Sequence, residues 1–118
     1  MDSILTSIKK LLGMAEDYTH FDADIIMNIN TEFMSLKQLG IGPADGFMIE
    51  DDSATWDEYI NVEEEPSKLT LLSAVKSYIY LKVKLTFDPP QNSSVIESIK
   101  QHISELEWRL NAEAESKQ

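Results

Sequence analysis

The apolar residues of this chain recur every three or four positions in four segments, and that spacing predicts α-helices. The first pattern ends at Gly13, and the second begins after Phe21, where Asp22 is expected to cap the N-terminus of a helix. We therefore expect an all-α fold with about four main helices, over residues 3–13, 22–39, 67–87 and 94–113.

The third pattern is apolar at almost every angle around a helix, and residues 68–87 contain neither glycine nor proline. A helix of this kind is expected to be buried on all sides. A strand is the alternative for residues 78–87, because apolar and polar residues alternate there as they do in a half-buried strand. The uninterrupted length of the segment favours the helix.

A short corner, the string "DPPQNSS", separates the third pattern from the fourth. Asp88, Pro89 and Pro90 are expected to end the third helix, because proline lacks an amide hydrogen and disfavours helical angles in the residue before it. Ser94 and Glu97 have the spacing of a capping box and are expected to start the last helix. We expect this corner to set the angle at which the last helix projects as a docking element.

Residues 43–66 show no helical period and predict a long acidic loop. Phe47 and Ile49 alternate with Met48 and Glu50 as in a short strand, so the loop can hold one short strand or helical turn. Residues 45–65 carry nine acidic and no basic groups, which account for most of the net charge of −11. Such a segment is either a solvated loop, or it faces a basic partner, or it repels an anion.

Length and composition limit the class of protein. The 118 residues are expected to form a single domain, 1–118, whose residues 112–118 form a frayed C-terminal tail. The lack of cysteine excludes disulfides, thiol catalysis and thiolate zinc sites. No apolar run reaches the roughly 18 residues of a membrane span, and an acid at position 2 argues against a signal peptide. We therefore expect a soluble intracellular protein with no membrane partner.

Candidate chemistry is sparse. His20 and His102 are the two histidines, and isolated histidines at such positions are expected to be structural or surface residues. Asp22 and Asp24 have the first spacing of an EF-hand loop, but its later ligand positions hold apolar residues. The acidic balance also argues against binding to nucleic-acid phosphates. We expect no enzyme activity, no metal and no cofactor.

Large apolar residues outside the core pattern point instead to interaction. Met27 and Met34 lie on the back of the second helix, and Trp108 lies off the apolar stripe of the last. Trp56 and Tyr59 stand among the acidic residues of the loop. Since Met, Tyr and Trp are enriched at protein interfaces, these residues predict a subunit or partner interface. Ordinary packing against the core is the alternative.

Several strings of this chain are similar to those of one protein family. They are "GFMIED" and "TW" in the acidic loop, "YIYLKVKLTFDPP" before and at the corner, and "EWRLN" near the end. In these strings, and in the order of its features over nearly its whole length, the chain closely resembles small head–tail connector proteins. These are the adaptor or head-completion proteins of long-tailed bacteriophages and of prophages in Gram-positive bacteria.

The resemblance implies a mostly α-helical structural protein at the head–tail interface of the virion, made in the cytoplasm of the bacterial host. Members of that family form a ring beneath the portal protein and extend the DNA channel towards the tail. For this chain the resemblance implies a homo-oligomeric ring, dodecameric on the portal, built from subunits that can be monomers in isolation. The portal protein would lie above, the next connector or tail-completion protein below, and DNA would pass as cargo.

In such a ring the acidic loop is expected to face the channel, because a wall that attracted phosphates would hold DNA in transit. The residues concerned are Glu50, Asp51, Asp52, Glu63, Glu64 and Glu65. The alternative function is that of a small acidic regulatory protein that mimics nucleic acid and binds a basic host partner.

Overall fold

The computed structural model describes residues 2–116, which form an all-α fold. No β-strand occurs in that range, although Ser3 and Thr55 make an isolated antiparallel bridge. The helices are α1 (Ile4–Leu11), α2 (Asp22–Gln38), α3 (Trp56–Tyr59), α4 (Leu69–Phe87) and α5 (Ser93–Ser116), with a 3-10 turn over Pro66–Lys68. The four predicted main helices are confirmed, and the helical turn within the acidic loop is α3.

The first two helices begin in different ways. Ser3 caps α1, because its hydroxyl oxygen accepts a hydrogen bond from the amide of Thr6 at 3.2 Å. The predicted cap of α2 is wrong, since Asp22 is the first residue of the helix and its carboxylate lies 2.9 Å from the ammonium of Lys9. Lys9 is 2% exposed and also donates to the carbonyl of Glu16 at 3.0 Å. A buried ion pair therefore joins α1 to α2.

α4 is the central helix and packs against α1, α2 and α5. Its buried residues are Leu72, Val75, Tyr78, Ile79 and Val83. The strand alternative for residues 78–87 is wrong, because the helix continues unbroken to Phe87 and is covered on more than one side. Leu69, Ser73 and Ser77 are exposed along one side of the helix, so the expectation that it is buried on all sides is wrong. Each fully buried aliphatic side chain stabilises the fold by roughly 1.5–3 kcal/mol.

The corner ends α4 as predicted. Asp88 leaves the helical conformation, with φ −146° and ψ 65°, and Pro89 and Pro90 follow it. Beyond the corner, α5 turns back along α4, and the Tyr78 hydroxyl donates to Glu107 across the two helices. The two helices form a hairpin, so the expectation that α5 projects from the fold is wrong.

Asn92 starts α5 in place of the predicted capping box. Its side-chain oxygen accepts hydrogen bonds from the amides of Ser94 at 2.8 Å and Val95 at 3.4 Å. Ser94 therefore lies within the first turn, and Glu97 is an exposed residue whose carboxylate lies 3.7 Å from the ammonium of Lys100. Asparagine and serine are comparable caps, so residue type alone does not decide between Asn92 and Ser94.

α5 extends further than predicted and reaches Ser116. Residues 112–116, assigned from the sequence to a frayed tail, are its last residues, and residues 117 and 118 of that tail lie outside the described range. The side-chain amide of Asn111 donates to the carbonyl of Leu39 at 3.4 Å. The end of α5 therefore rests against the end of α2.

The acidic segment is attached to the core at several points. The side-chain amide of Asn30 donates to the carbonyl of Ile49 at 2.9 Å and accepts from its amide at 2.8 Å, as a neighbouring strand would. The amide of Ile4 donates to the carbonyl of Ala54 at 3.0 Å. Ile49 is buried, so the alternating pattern marks a stretch that packs against the core without forming a strand.

Candidate functional site

Trp56 is a core residue, so its assignment to a partner interface is wrong. The side chain is 0% exposed, and its indole N–H donates to the Ser7 hydroxyl at 3.1 Å. The ammonium of Lys76 lies 5.3 Å from the ring centroid, a distance suited to a cation–π contact. Sequence reasoning missed this placement because the contacts of Trp56 come from α1 and α4, far away along the chain.

Tyr59 is also a core residue, and its assignment to an interface is wrong for the same reason. Its ring packs against Phe33 and Phe47, with centroid distances of 4.7 and 5.2 Å. Burial raises the pKa of its hydroxyl, for which residues 2–116 provide no hydrogen-bond partner. A Cβ placed on Gly42 would lie 2.8 Å from this hydroxyl, so the turn after α2 fits closely over the ring.

Met27 and Met34 lie on the solvent side of α2, opposite its core stripe, and are 69% and 64% exposed. Between them, the Thr31 hydroxyl donates to the carbonyl of Met27 at 3.0 Å, so its polar hydrogen is already used within the helix. The outer face of α2 is the exposed, uncharged stripe formed by Ala23, Met27, Thr31, Met34 and Gln38. This face is apolar enough to pack against another protein surface.

A groove of about 590 Å³ opens at the C-terminal end of this face, between α2 and the start of the acidic segment. We call it the methionine groove, and its lining residues are Phe33, Met34, Lys37, Gln38, Asp45, Gly46, Phe47 and Met48. Met48 is 71% exposed. Because methionine side chains are flexible and polarisable, the groove offers an apolar surface that can adapt to an incoming side chain.

Trp108 is 73% exposed on the side of α5 that faces away from its buried residues. Ser104 and Ala112, about one turn before and after it, are also exposed and small. The Trp108 face is the uncharged surface formed by Gln101, Ser104, Trp108 and Ala112. A large aromatic side chain in this position is typical of an anchor residue at a protein interface.

The six acidic residues predicted to face a channel are all exposed. Within the same segment, the hydroxyl and the amide of Ser53 donate to Asp51 at 2.5 and 2.8 Å and lower the pKa of its carboxyl. The Thr55 hydroxyl likewise lowers the pKa of Asp57. These hydrogen bonds favour the charged forms of the two carboxyls.

A buried polar cluster joins α2, α4 and α5, and sequence reasoning missed it. The Glu32 carboxylate of α2 lies 3.6 Å from the Lys82 ammonium of α4. Burial raises the pKa of Glu32, and Lys82 opposes the rise. Burial and the hydrogen bond to Glu107 raise the pKa of Tyr78. Helical spacing could have indicated that Glu32 is buried, since it lies three residues after Ile29 on the core stripe of α2.

The two histidines lie on different elements, and His102 lies beside Gln101 of the Trp108 face. His20, in the α1–α2 connection, contacts Phe21 with ring centroids 4.7 Å apart, and His102 is exposed on α5. Residues 2–116 contain no group of three or more His, Asp or Glu that could hold a metal ion. Within the same range, no helix combines the length and the apolar character needed to cross a bilayer.

Comparison with known proteins identifies the family of this chain. A search of curated proteins and a search of solved structures each returned no significant match. Residues 4–117, nearly the whole chain, match the family model described as phage connector protein. The chain therefore belongs to the phage connector protein family, and its role is that of a structural connector in the phage particle.

Proposed function

We propose that this chain is a head–tail connector that assembles as a ring beneath the portal and joins the DNA-filled capsid to the tail. Its membership of the phage connector family supports this role. The observation that carries the proposal is the exposed Trp108, since an indole at 73% exposure is stabilised when another chain covers it. No reaction is part of this function, because the work of the protein is assembly.

A ring subunit must contact more than one neighbour, and the chain has apolar surface on more than one side. The outer face of α2 is continuous with the methionine groove between α2 and the acidic segment, and the Trp108 face lies on α5. In a ring that is dodecameric on the portal, these surfaces would serve contacts between subunits, to the portal above, and to the next connector or tail-completion protein below. The chain would be made in the host cytoplasm and would act in the virion.

The acidic segment would face the DNA channel of this ring. Its support is charge, because residues 45–65 carry nine acidic and no basic groups and the six predicted acids are exposed. A negative wall repels phosphates, so DNA can pass without being held. A ring structure with Glu50, Asp51 and Asp52 on its outer rim would contradict this part of the proposal.

Sedimentation with purified portal rings of the same phage tests the connector role. The chain is mixed with the rings at physiological salt and pelleted, with the major capsid protein of that phage as the matched control. We expect the chain, and not the capsid protein, to pellet with the portal. A chain that stays in the supernatant over a wide range of concentrations contradicts the proposal.

The strongly acidic segment also favours a second candidate, a small acidic protein that mimics nucleic acid and blocks a basic host enzyme. A mimic would bind that enzyme as a monomer or dimer, and its affinity would fall steeply with salt because the contact is electrostatic. Salt-sensitive binding to a host nuclease or polymerase, together with no binding to portal rings, would support the mimic and reject the connector.

A further inference from the structure

The Trp108 face lies on α5, and the methionine groove lies between α2 and the start of the acidic segment. α2 and α5 each pack against α4, and the exposed faces of both helices point away from their core stripes. Trp108 does not line the groove of its own chain. Within one copy, neither surface covers the other. The Trp108 face of one copy can therefore meet the methionine groove of a second copy.

The methionine groove has the size and lining of a receptor for an aromatic side chain. Its volume of about 590 Å³ lies within the range of roughly 300–1,000 Å³ that is usual for binding pockets. Met34 and Met48 are its most exposed apolar residues, and the buried Phe33 packs on Phe47 with ring centroids 5.0 Å apart. Methionine sulfur makes favourable contacts with aromatic rings, so an indole suits this lining.

The Trp108 face has the shape needed to enter a groove. Trp108 protrudes from α5, while Ser104 and Ala112 on either side of it are too small to hold a second surface away from the helix. The stripe contains no charged residue over about three helical turns, although α5 as a whole is rich in charge. A single large side chain flanked by small ones is the arrangement of a ridge that fits a groove.

The charges beside the two surfaces are complementary. Glu105, Arg109 and Glu115 border the Trp108 face, and Lys37 and Asp45 line the groove. Charges of both signs therefore lie at or beside each surface, and opposite charges can pair across a contact. This matters because each copy has a net charge of −11, so two copies repel unless the charges at their contact are matched.

We infer that Trp108 of one copy inserts between Met34 and Met48 of the next copy, with Arg109 beside Asp45. The contact joins two different surfaces, so each copy keeps one free Trp108 face and one free groove with which to extend the assembly. Repetition gives a ring if the rotation between copies closes. That closure rests on the proposed connector function, whereas the contact between two copies does not.

Disulfide formation between chains tests this contact, because the chain has no cysteine of its own. One pool carries Gln38→Cys in the groove lining, and a second carries Ala112→Cys one turn from Trp108, so both surfaces keep their large apolar residues. On mild oxidation of the mixed pools, we expect a 38–112 link in large excess over 38–38 and 112–112 links. Asp17→Cys, at an exposed position in the α1–α2 connection, replaces Gln38→Cys as the control for random collision.

Further substitutions show whether the named side chains make the contact. Trp108→Ala in the Ala112→Cys chain should reduce the link to the yield of the collision control. Arg109→Glu in the same chain, or Asp45→Arg in the Gln38→Cys chain, should lower the yield, and both reversals together should restore it. Because the two reversals lie in different molecules, a local folding defect in one of them would not be rescued by the other.

Equal yields of mixed, like-with-like and control links would overturn the inference, and so would a Trp108→Ala substitution without effect. Chains that pellet with the portal but give only like-with-like links would keep the connector role and reject this contact. Chains that give the 38–112 link but do not bind the portal would support the contact and reject the connector role.

Discussion

The hydroxyl of Tyr78, in the middle of α4, donates a hydrogen bond of 2.9 Å to a carboxylate oxygen of Glu107 in α5. Tyr78 is fully buried, and the bond ties α5 to α4 within the helical hairpin. A hydrogen bond to a charged group contributes about 1.5–3 kcal/mol to stability. This bond therefore helps to hold the helix that presents Trp108.

Tyr78→Phe is expected to lower the free energy of unfolding by about 2 kcal/mol, because Glu107 loses its donor while the ring still fills its place. Urea denaturation measures the change. Tyr80→Phe is the matched control, since Tyr80 lies on the same helix and its hydroxyl makes no hydrogen bond within residues 2–116. Equal losses in the two variants would show that the hydrogen bond to Glu107 contributes nothing.

Glu32 is expected to make stability depend on pH. Burial raises its pKa, and Lys82 at 3.6 Å offsets part of the rise. The folded state therefore holds this proton more tightly than the unfolded chain, and the stability that protonation gives is lost as pH rises through the folded pKa. Glu32→Gln should unfold at a higher urea concentration than the wild type at neutral pH, and the difference should disappear in acid.

Glu105→Gln is the control for this pH effect, because it removes one negative charge from an exposed position on α5. Its change in urea midpoint accounts for the general effect of lowering the net charge. If Glu32→Gln is less stable than the wild type at neutral pH, the ion pair with Lys82 outweighs the cost of burial, and the sign of the prediction is wrong.

Gly42→Ala is expected to destabilise the protein more than Gly13→Ala. Both glycines have positive φ, of 93° and 83°, so alanine costs about 1–2 kcal/mol of backbone strain at either position. At Gly42 the new Cβ would also lie 2.8 Å from the ring and hydroxyl of Tyr59, whereas nothing lies within 4 Å at Gly13. Thermal unfolding of the two variants measures the difference, and equal melting temperatures would show that the Tyr59 ring moves aside without cost.

Asn92→Ala should lower stability by about 1 kcal/mol, because the amides of Ser94 and Val95 lose their acceptor at the start of α5. Ser94→Ala should have almost no effect, since Ser94 lies inside the first turn. The two variants are compared by thermal unfolding. A larger loss of stability in Ser94→Ala than in Asn92→Ala would show that Ser94 caps α5 and would support the capping box.

Regular helices were predictable because their signal is local. The spacing of apolar residues located α1, α2, α4 and α5, and the prolines located the end of α4. The same spacing distinguished Trp108, which lies off the core stripe of a long helix and is exposed. Where a helix has a continuous apolar stripe, the position of a residue relative to that stripe therefore predicts whether its side chain is buried or exposed.

The burial of Trp56 could not be predicted from the spacing of apolar residues. This residue lies in a segment without a period, so the sequence gives no core direction from which to judge its position. Its burial depends on Ser7 and Lys76, which are brought together by the packing of α1 against α4. The acids around it suggested exposure, but they are on the outside of a short helix whose apolar side turns inward.

Asn92 and Glu32 were missed for a different reason, because the local sequence does not decide the role of either residue. Asn92 and Ser94 are both good caps, and the geometry after the prolines decides between them. Glu32 occupies a core position by spacing, and Lys82 from α4 offsets part of the cost of burying its carboxylate. Both outcomes depend on tertiary structure.

The central claim is that copies of this chain form a ring on the portal, and the mass of the complex tests it most directly. The chain is added in excess to purified portal rings of the same phage, and the mass of the intact particle is measured. We predict one bound copy of the chain for each portal subunit, with partly filled rings rare because neighbouring copies support each other. A mass that shows no bound chain, or only scattered copies well below one per portal subunit at saturation, would contradict the account.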